Sequence, residues 1–185
     1  MSETKAVETK KEPGMAQLVI ILFAISAITA LLLGLVNMIT APVIAANAEA
    51  KNAAAMAAVL PADSYEEVAY TGDDTTVGKI YKAGDAGYVV QVSPSGSFSG
   101  TLTIMVGVDT TGTVTGVEIV KTGETSGLGA NAGKPAFKDQ FAGLNGTAAV
   151  TKDGGTINAI TGATITSRAV SNGVNSAVAA AASMG

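Results

Sequence analysis

The sequence predicts an α+β protein, a single N-terminal transmembrane helix followed by an antiparallel-sheet domain with helices packed on it. Three observations predict it. No charged residue stands between Glu12 and Glu49. Apolar and polar residues alternate from Lys79 to Glu124, with Gly, Asp and Ser-Pro punctuation, which is the two-residue period of half-buried strands. The C-terminal "TSRAVSNGVNSAVAAAASMG" is alanine-rich and free of proline, as a helix requires. A chain of 185 residues with such an apolar segment has room for one anchor and one modest domain.

Residues 15–41 form the predicted membrane span, since Leu18 to about Ile39 is an apolar stretch of roughly the 20 residues that cross a hydrocarbon core as helix. Lys5, Lys10 and Lys11 precede it and only Lys51 follows closely. That bias places segment 1–14 in the cytoplasm and the rest outside the cell membrane. A cleaved secretory signal is the alternative, with "ANA" at Ala46 to Ala48 as its cleavage site, but the apolar run exceeds the about 7–15 residues of a signal core. Residues 42–62 are alanine-dense and run to Pro61, which predicts a helical spacer stopping before the proline.

Residues 63–185 form the predicted extracytoplasmic domain. Its strands are expected at Gly78 to Lys82, Gly87 to Ser93, Thr101 to Asp109 and Val114 to Thr122, with "DTTG" as the sharpest hairpin. "KPAFKDQFAG" predicts a short helix opened by Pro135 and ended by Gly143, with Phe137 and Phe141 on one face. "GGTINAIT" reads as a last strand or extended segment. The final helix then begins with Thr166 or Ser167 near its N-cap.

Composition excludes several chemistries. Cysteine and histidine are absent, which removes thiolate and imidazole metal sites and the Ser-His-Asp triad, so any redox chemistry needs a bound cofactor. No metal ligand set and no catalytic residue is assigned. A net charge of −4 with scattered lysines lacks the clustered positive potential of a nucleic-acid surface.

Two stretches remain as candidate sites. In "INAITGATITSRAV", Gly162 and Ala163 let a ligand approach the backbone closely, and the helix N-terminus that follows suits a phosphate. Read alone, the same hydroxyls could simply cap a junction. "TGETSGLGANAG" at 122–133 is a glycine-rich loop carrying Glu124, but Gly127 and Gly129 do not complete a dinucleotide fingerprint.

Together the two stretches resemble the FMN-binding domains that carry covalent flavin. "NAITGATITS" resembles their Asp-x-x-(Ser/Thr)-Gly-Ala-Thr signature, and "ETSGLGA" their Glu-Thr-Pro-Gly-Leu-Gly loop. The resemblance implies FMN joined through its phosphate to Thr164, a recognition turn of Thr161, Gly162 and Ala163, and Thr166 beside it. It implies Glu124, Thr125, Gly127, Leu128 and Gly129 as neighbours of the flavin ring. Asn158 stands where the signature has aspartate, Ser126 where proline is usual, and Gly123 where a histidine often precedes the glutamate.

The order of anchor, spacer, sheet, loop and acceptor turn resembles the G subunits of the Rnf electron-transport complex. The larger C subunit of the sodium-translocating NADH:quinone reductase is similar in plan, and an anchored non-redox binding domain is a further alternative. The Rnf resemblance implies an electron-carrying subunit working among other membrane subunits between reduced ferredoxin and NAD⁺, with Na⁺ or H⁺ moved. It also implies an external flavin transferase that uses FAD and Mg²⁺ for maturation.

Overall fold

A computed structural model describes residues 14–184. The expectation for segment 1–14 therefore lies outside the described residues, Gly14 excepted. Two compact units divide the chain at Ala48/Glu49.

The first unit is helical. Helix α1 runs Met15–Val59, with Pro42 inside it, and it is long and apolar enough to cross a membrane. Its apolar side chains, from Leu18 to Ile44, are exposed. Thr29 and Thr40 donate their hydroxyls to the carbonyls of Ile25 and Val36, so neither leaves its hydroxyl proton unpaired on the helix surface.

The second unit holds a five-stranded antiparallel meander in the order β1 (Glu66–Val68), β2 (Val77–Lys82), β3 (Gly87–Val92), β4 (Leu102–Asp109) and β5 (Val114–Thr122). The four predicted strands stand within a residue of expectation at each end. Strand β1 has no counterpart among them, because "EEV" offers one apolar residue and its edge position leaves both glutamates exposed. "DTTG" closes the β4–β5 hairpin, where Asp109 Oδ1 accepts from the N–H groups of Thr111 and Thr113 at 2.8 and 2.9 Å.

Alternation gives the sheet two apolar faces. Val90 and Val92 of β3 and Ile104, Val106 and Val108 of β4 face the main core, which is closed by Phe137, Phe141 and helix α3 (Thr164–Ala182). Val170, Val174 and Ala177 recur at the spacing of one helix face and are fully buried. Val89 and Met105 point the other way, onto Ala55, Val59 and Leu60 at the end of α1. Residues 49–59, expected as part of a spacer, therefore also cover a sheet face.

The predicted "KPAFKDQFAG" helix divides into a four-residue α2 (Pro135–Lys138) and a 3-10 turn at Asp139–Phe141. Its two rings meet edge to face at 5.5 Å and 75°. "GGTINAIT" is the extended alternative rather than a sheet strand. A parallel bridge pairs Ile157 with Val150, across a short loop in which Gly154 takes a left-handed φ of 84.

Gly107 and Gly116 form the trough that receives Val59. A Cβ at Gly107 would press on the Val59 carbonyl and the Thr115 hydroxyl, which themselves hydrogen bond. Gly107→Val should lower the stability of the detergent-solubilised chain by about 1–3 kcal/mol, measured by thermal unfolding. A variant as stable as the parent would show that the end of α1 is not seated on this face.

Candidate functional site

The N-cap of helix α3 falls three or four residues before the hydroxyls that the sequence points to. Its N-cap is Ala163, which has no side-chain hydrogen bond to offer, so Thr166 and Ser167 fall inside the first turns. The expectation of a hydroxyl cap is corrected accordingly. Ser167 uses its hydroxyl twice, donating to the Ala163 carbonyl at 2.9 Å and accepting from the Ile160 N–H at 2.9 Å. These bonds hold the 160–163 turn against α3. Gly162 has φ 75, a conformation that disfavours side chains.

The first main-chain bond of α3 runs from Ser167 N–H to the Ala163 carbonyl. The N–H groups of Thr164, Ile165 and Thr166 therefore have no helical partner, and the positive end of the helix dipole lies at them.

A cavity of about 410 Å³ opens at this point, lined by Phe98, Glu124, Thr125, Leu128, Gly129, Lys152, Gly162, Ala163, Thr164, Ile165 and Thr166. The structure thus brings both candidate stretches to one site. Thr161 is exposed in the turn, outside the lining. Gly127 also stands off it, at φ 78, where it turns the loop and accepts at its carbonyl from Asn131 Nδ2 at 2.8 Å. Phe98, Lys152 and Ile165 are additions to the residues the sequence singles out. The one available signal is Phe98, a lone aromatic in "SPSGSFSG" in a chain with four phenylalanines.

The buried carboxylate of Glu124, 8% exposed, joins three segments. Its Oε1 accepts from the N–H and hydroxyl of Ser99, both at 3.0 Å, and its Oε2 accepts from the Thr166 hydroxyl at 2.6 Å. A Cβ at Gly129 would strike both the carboxylate and the Thr166 hydroxyl, so the loop needs glycine there. A Cβ at Gly162 would lie 3.1 Å from Leu128 Cδ2, so the two loops touch at the cavity wall. Among the described residues the Thr164 hydroxyl has no hydrogen-bond partner, and Thr164 is half-buried.

Volume alone does not choose the site. A hollow of about 630 Å³ lies between the β2–β3 and β4–β5 hairpin ends and the end of α3, but Asp109 on its wall is committed to its own turn. A third hollow, about 330 Å³, includes Asn158. The main chain of Asn158 is clamped by Gln140, which accepts its N–H at 2.8 Å and donates to its carbonyl at 3.3 Å.

Burial is the largest single influence on the Glu124 carboxyl and acts to raise its pKa. The hydrogen bonds from Thr166, Ser99 and Phe98 together outweigh it, so Glu124 titrates below the ordinary glutamate value. A pKa lowered by folding contributes stability that is complete above the ordinary value and is lost as pH falls through the native one. The melting temperature should therefore drop on acidification below about pH 4.5. Glu124→Gln should flatten that drop and cost about 1–3 kcal/mol at neutral pH, both read by scanning calorimetry. An unchanged acid limb in the variant would show that Glu124 is not the group responsible.

Comparison with known proteins agrees with this geometry. Residues 97–179 match the family model described as FMN-binding domain. The chain is 34% identical to the G subunit of the Na(+)-translocating ferredoxin:NAD(+) oxidoreductase complex of Acetobacterium woodii, over 86% of this chain and 87% of that protein. It is 34% identical to the G subunit of the ion-translocating oxidoreductase complex of Methanosarcina acetivorans, over 89% and 93%. With the G subunit of the proton-translocating ferredoxin:NAD(+) oxidoreductase complex of Clostridium ljungdahlii it shares 44% identity over 49% of this chain and 51% of that one. The chain belongs to the family of G subunits of ion-translocating oxidoreductase complexes, and carries that family's FMN-binding domain.

Proposed function

We propose that this chain is the electron-carrying subunit of a membrane-bound ion-translocating oxidoreductase of the Rnf type, with FMN esterified through its phosphate to Thr164. The observation that carries the reading is the division among the hydroxyls of the first turns of α3. Thr166 gives its proton to Glu124 and Ser167 is bonded on both sides. Thr164 alone of the three leaves its hydroxyl free, at the cavity wall and at the unpartnered N–H groups.

The residues fit the group. The cavity lies within the about 300–1,000 Å³ of sites for small organic ligands. One part of its wall offers the helix N-terminus and Lys152 for a phosphate, and Phe98, Leu128 and Ile165 offer apolar surface for a ring. Bound FMN supplies the capacity to take and pass electrons, which no side chain of this protein supplies. Thr125, Gly129, Gly162 and Ala163 shape the wall, Thr161 and Gly127 set the turns, and Glu124 holds the two loops in register.

Attachment requires an outside enzyme, because a threonine hydroxyl is a weak nucleophile and the chain has no histidine to activate it. In the proposed step the Thr164 oxygen bonds to the flavin-side phosphorus of FAD. The pyrophosphate bond breaks, AMP leaves with the electron pair, and the hydroxyl proton passes to a base of the transferase. The ester keeps the cofactor on a domain outside the cell membrane, where free flavin would be lost. In this arrangement 1–14 lies in the cytoplasm, 15–41 spans the membrane, 42–62 leads out of it, and 63–185 carries the flavin beside the other membrane subunits.

Co-expression of the full chain with a flavin transferase should give a fluorescent band on a denaturing gel and an intact mass raised by one FMN moiety. Thr164→Val should abolish both. A fluorescent Thr164→Val band would move the attachment elsewhere, and native protein with the bare polypeptide mass would end the covalent reading.

A further inference from the structure

We propose that Lys152 is the cation that holds the flavin phosphate against the N-terminus of α3, and that the Asp153–Arg168 ion pair keeps it in position. The inference rests on the reading of Thr164 as the attachment point, and it names a residue outside both sequence stretches that carry that reading.

Lys152 sits in a 3-10 turn, Thr151–Asp153, and lines the same cavity as Thr164. The turn is built to stay in place. Val150 bridges to Ile157, the Thr151 N–H donates to the Ile157 carbonyl at 2.9 Å, and left-handed Gly154 (φ 84) ends the turn. Gly155 lies so close to Ala149 that a Cβ would strike its carbonyl. Asp153, next to Lys152, accepts the fork of Arg168 at 2.6 and 2.7 Å. Arg168 lies four residues after Thr164, on the same side of the helix. The lysine-bearing turn is thereby linked to the helix that carries the acceptor threonine.

Charge counting gives Lys152 its role. The N-terminus of a helix presents roughly half a positive charge, whereas the ionised Glu124, bonded to Thr166 in the first turn, carries a full negative one. An anion at Thr164 would therefore face a net negative wall if these two were its only neighbours. Lys152 reverses the sign. The ion pairs among the described residues join Lys79 to Glu67, Lys138 to Glu118 and Arg168 to Asp153; Lys152 is in none of them, and the neighbouring carboxylate on which its charge acts, Asp153, is already held by Arg168. The Asp153–Arg168 pair is half-exposed and adds little to overall stability; what it does is link the turn that bears Lys152 to the helix that begins at Thr164.

The test uses the full flavin-loaded chain in detergent, with loading of each variant normalised on a denaturing gel. Phosphorus-31 spectra are compared for the parent, Lys152→Gln, Lys152→Arg and Asp153→Asn. The expected result is a shifted phosphodiester resonance and lower flavin fluorescence anisotropy in Lys152→Gln. Both should be restored in Lys152→Arg, and Asp153→Asn should shift in the same direction by less. An unmoved resonance in Lys152→Gln overturns the role of Lys152 and leaves Thr164 attachment standing. A parent protein with no phosphorus resonance and a bare polypeptide mass overturns both readings together.

Discussion

A buried carboxylate has to be satisfied or it destabilises the fold that buries it, and the bonds that satisfy Glu124 tie together three separate pieces of chain. Ser99 comes from the β3–β4 connection, Glu124 from the end of β5, and Thr166 from the first turn of α3. That one group fixes where α3 begins relative to the sheet, and so where its unpartnered N–H groups point. The glycine spacing around it follows from the same contact. Gly129 must pass beneath the Glu124–Thr166 bond with no room for a side chain, and Gly127 reverses the loop to bring it there.

Because Thr166 is spent on that contact, the hydroxyls in the acceptor turn are not equivalent. Side chains at successive helix positions point about 100° apart, so Thr164 and Thr166 cannot serve the same partner. One threonine is tied to Glu124 and, among the described residues, the other keeps its hydroxyl unbonded at the cavity wall. The run of hydroxyls that looks redundant in sequence is an assignment of roles in space.

The parts of the fold legible from the sequence are those with a period. Alternation locates β2 to β5, and the apolar run locates α1. What stays hidden depends on contacts between distant segments. Strand β1 is an edge of three residues with two glutamates outward, so it carries no alternation to detect. The N-cap falls at Ala163 because Thr166 and Ser167 have better partners in Glu124 and in the 160–163 turn, and no local rule announces those partners. At the cavity, the two motif stretches name eight of the eleven lining residues. Phe98 and Lys152 come from loops whose sequence has no flavin signature, and only the fold carries them to the wall. Ile165 lies inside the motif itself, but its neighbours draw attention because they can hydrogen bond and it cannot.

The openness of the site is consistent with a carrier. A flavin retained only by noncovalent contacts relies on the surface its site covers and on the polar groups satisfied there. Enclosure would also keep electron partners at a distance. Here the rim is accessible, with Phe98 at 70%, Ile165 at 53% and Leu128 at 44% exposure. The ester proposed at Thr164 would separate retention from enclosure, so that a ring near the surface would not be lost. On that proposal a chain with four aromatic residues in a hundred needs its apolar rim only to orient the flavin, because the bond would retain it.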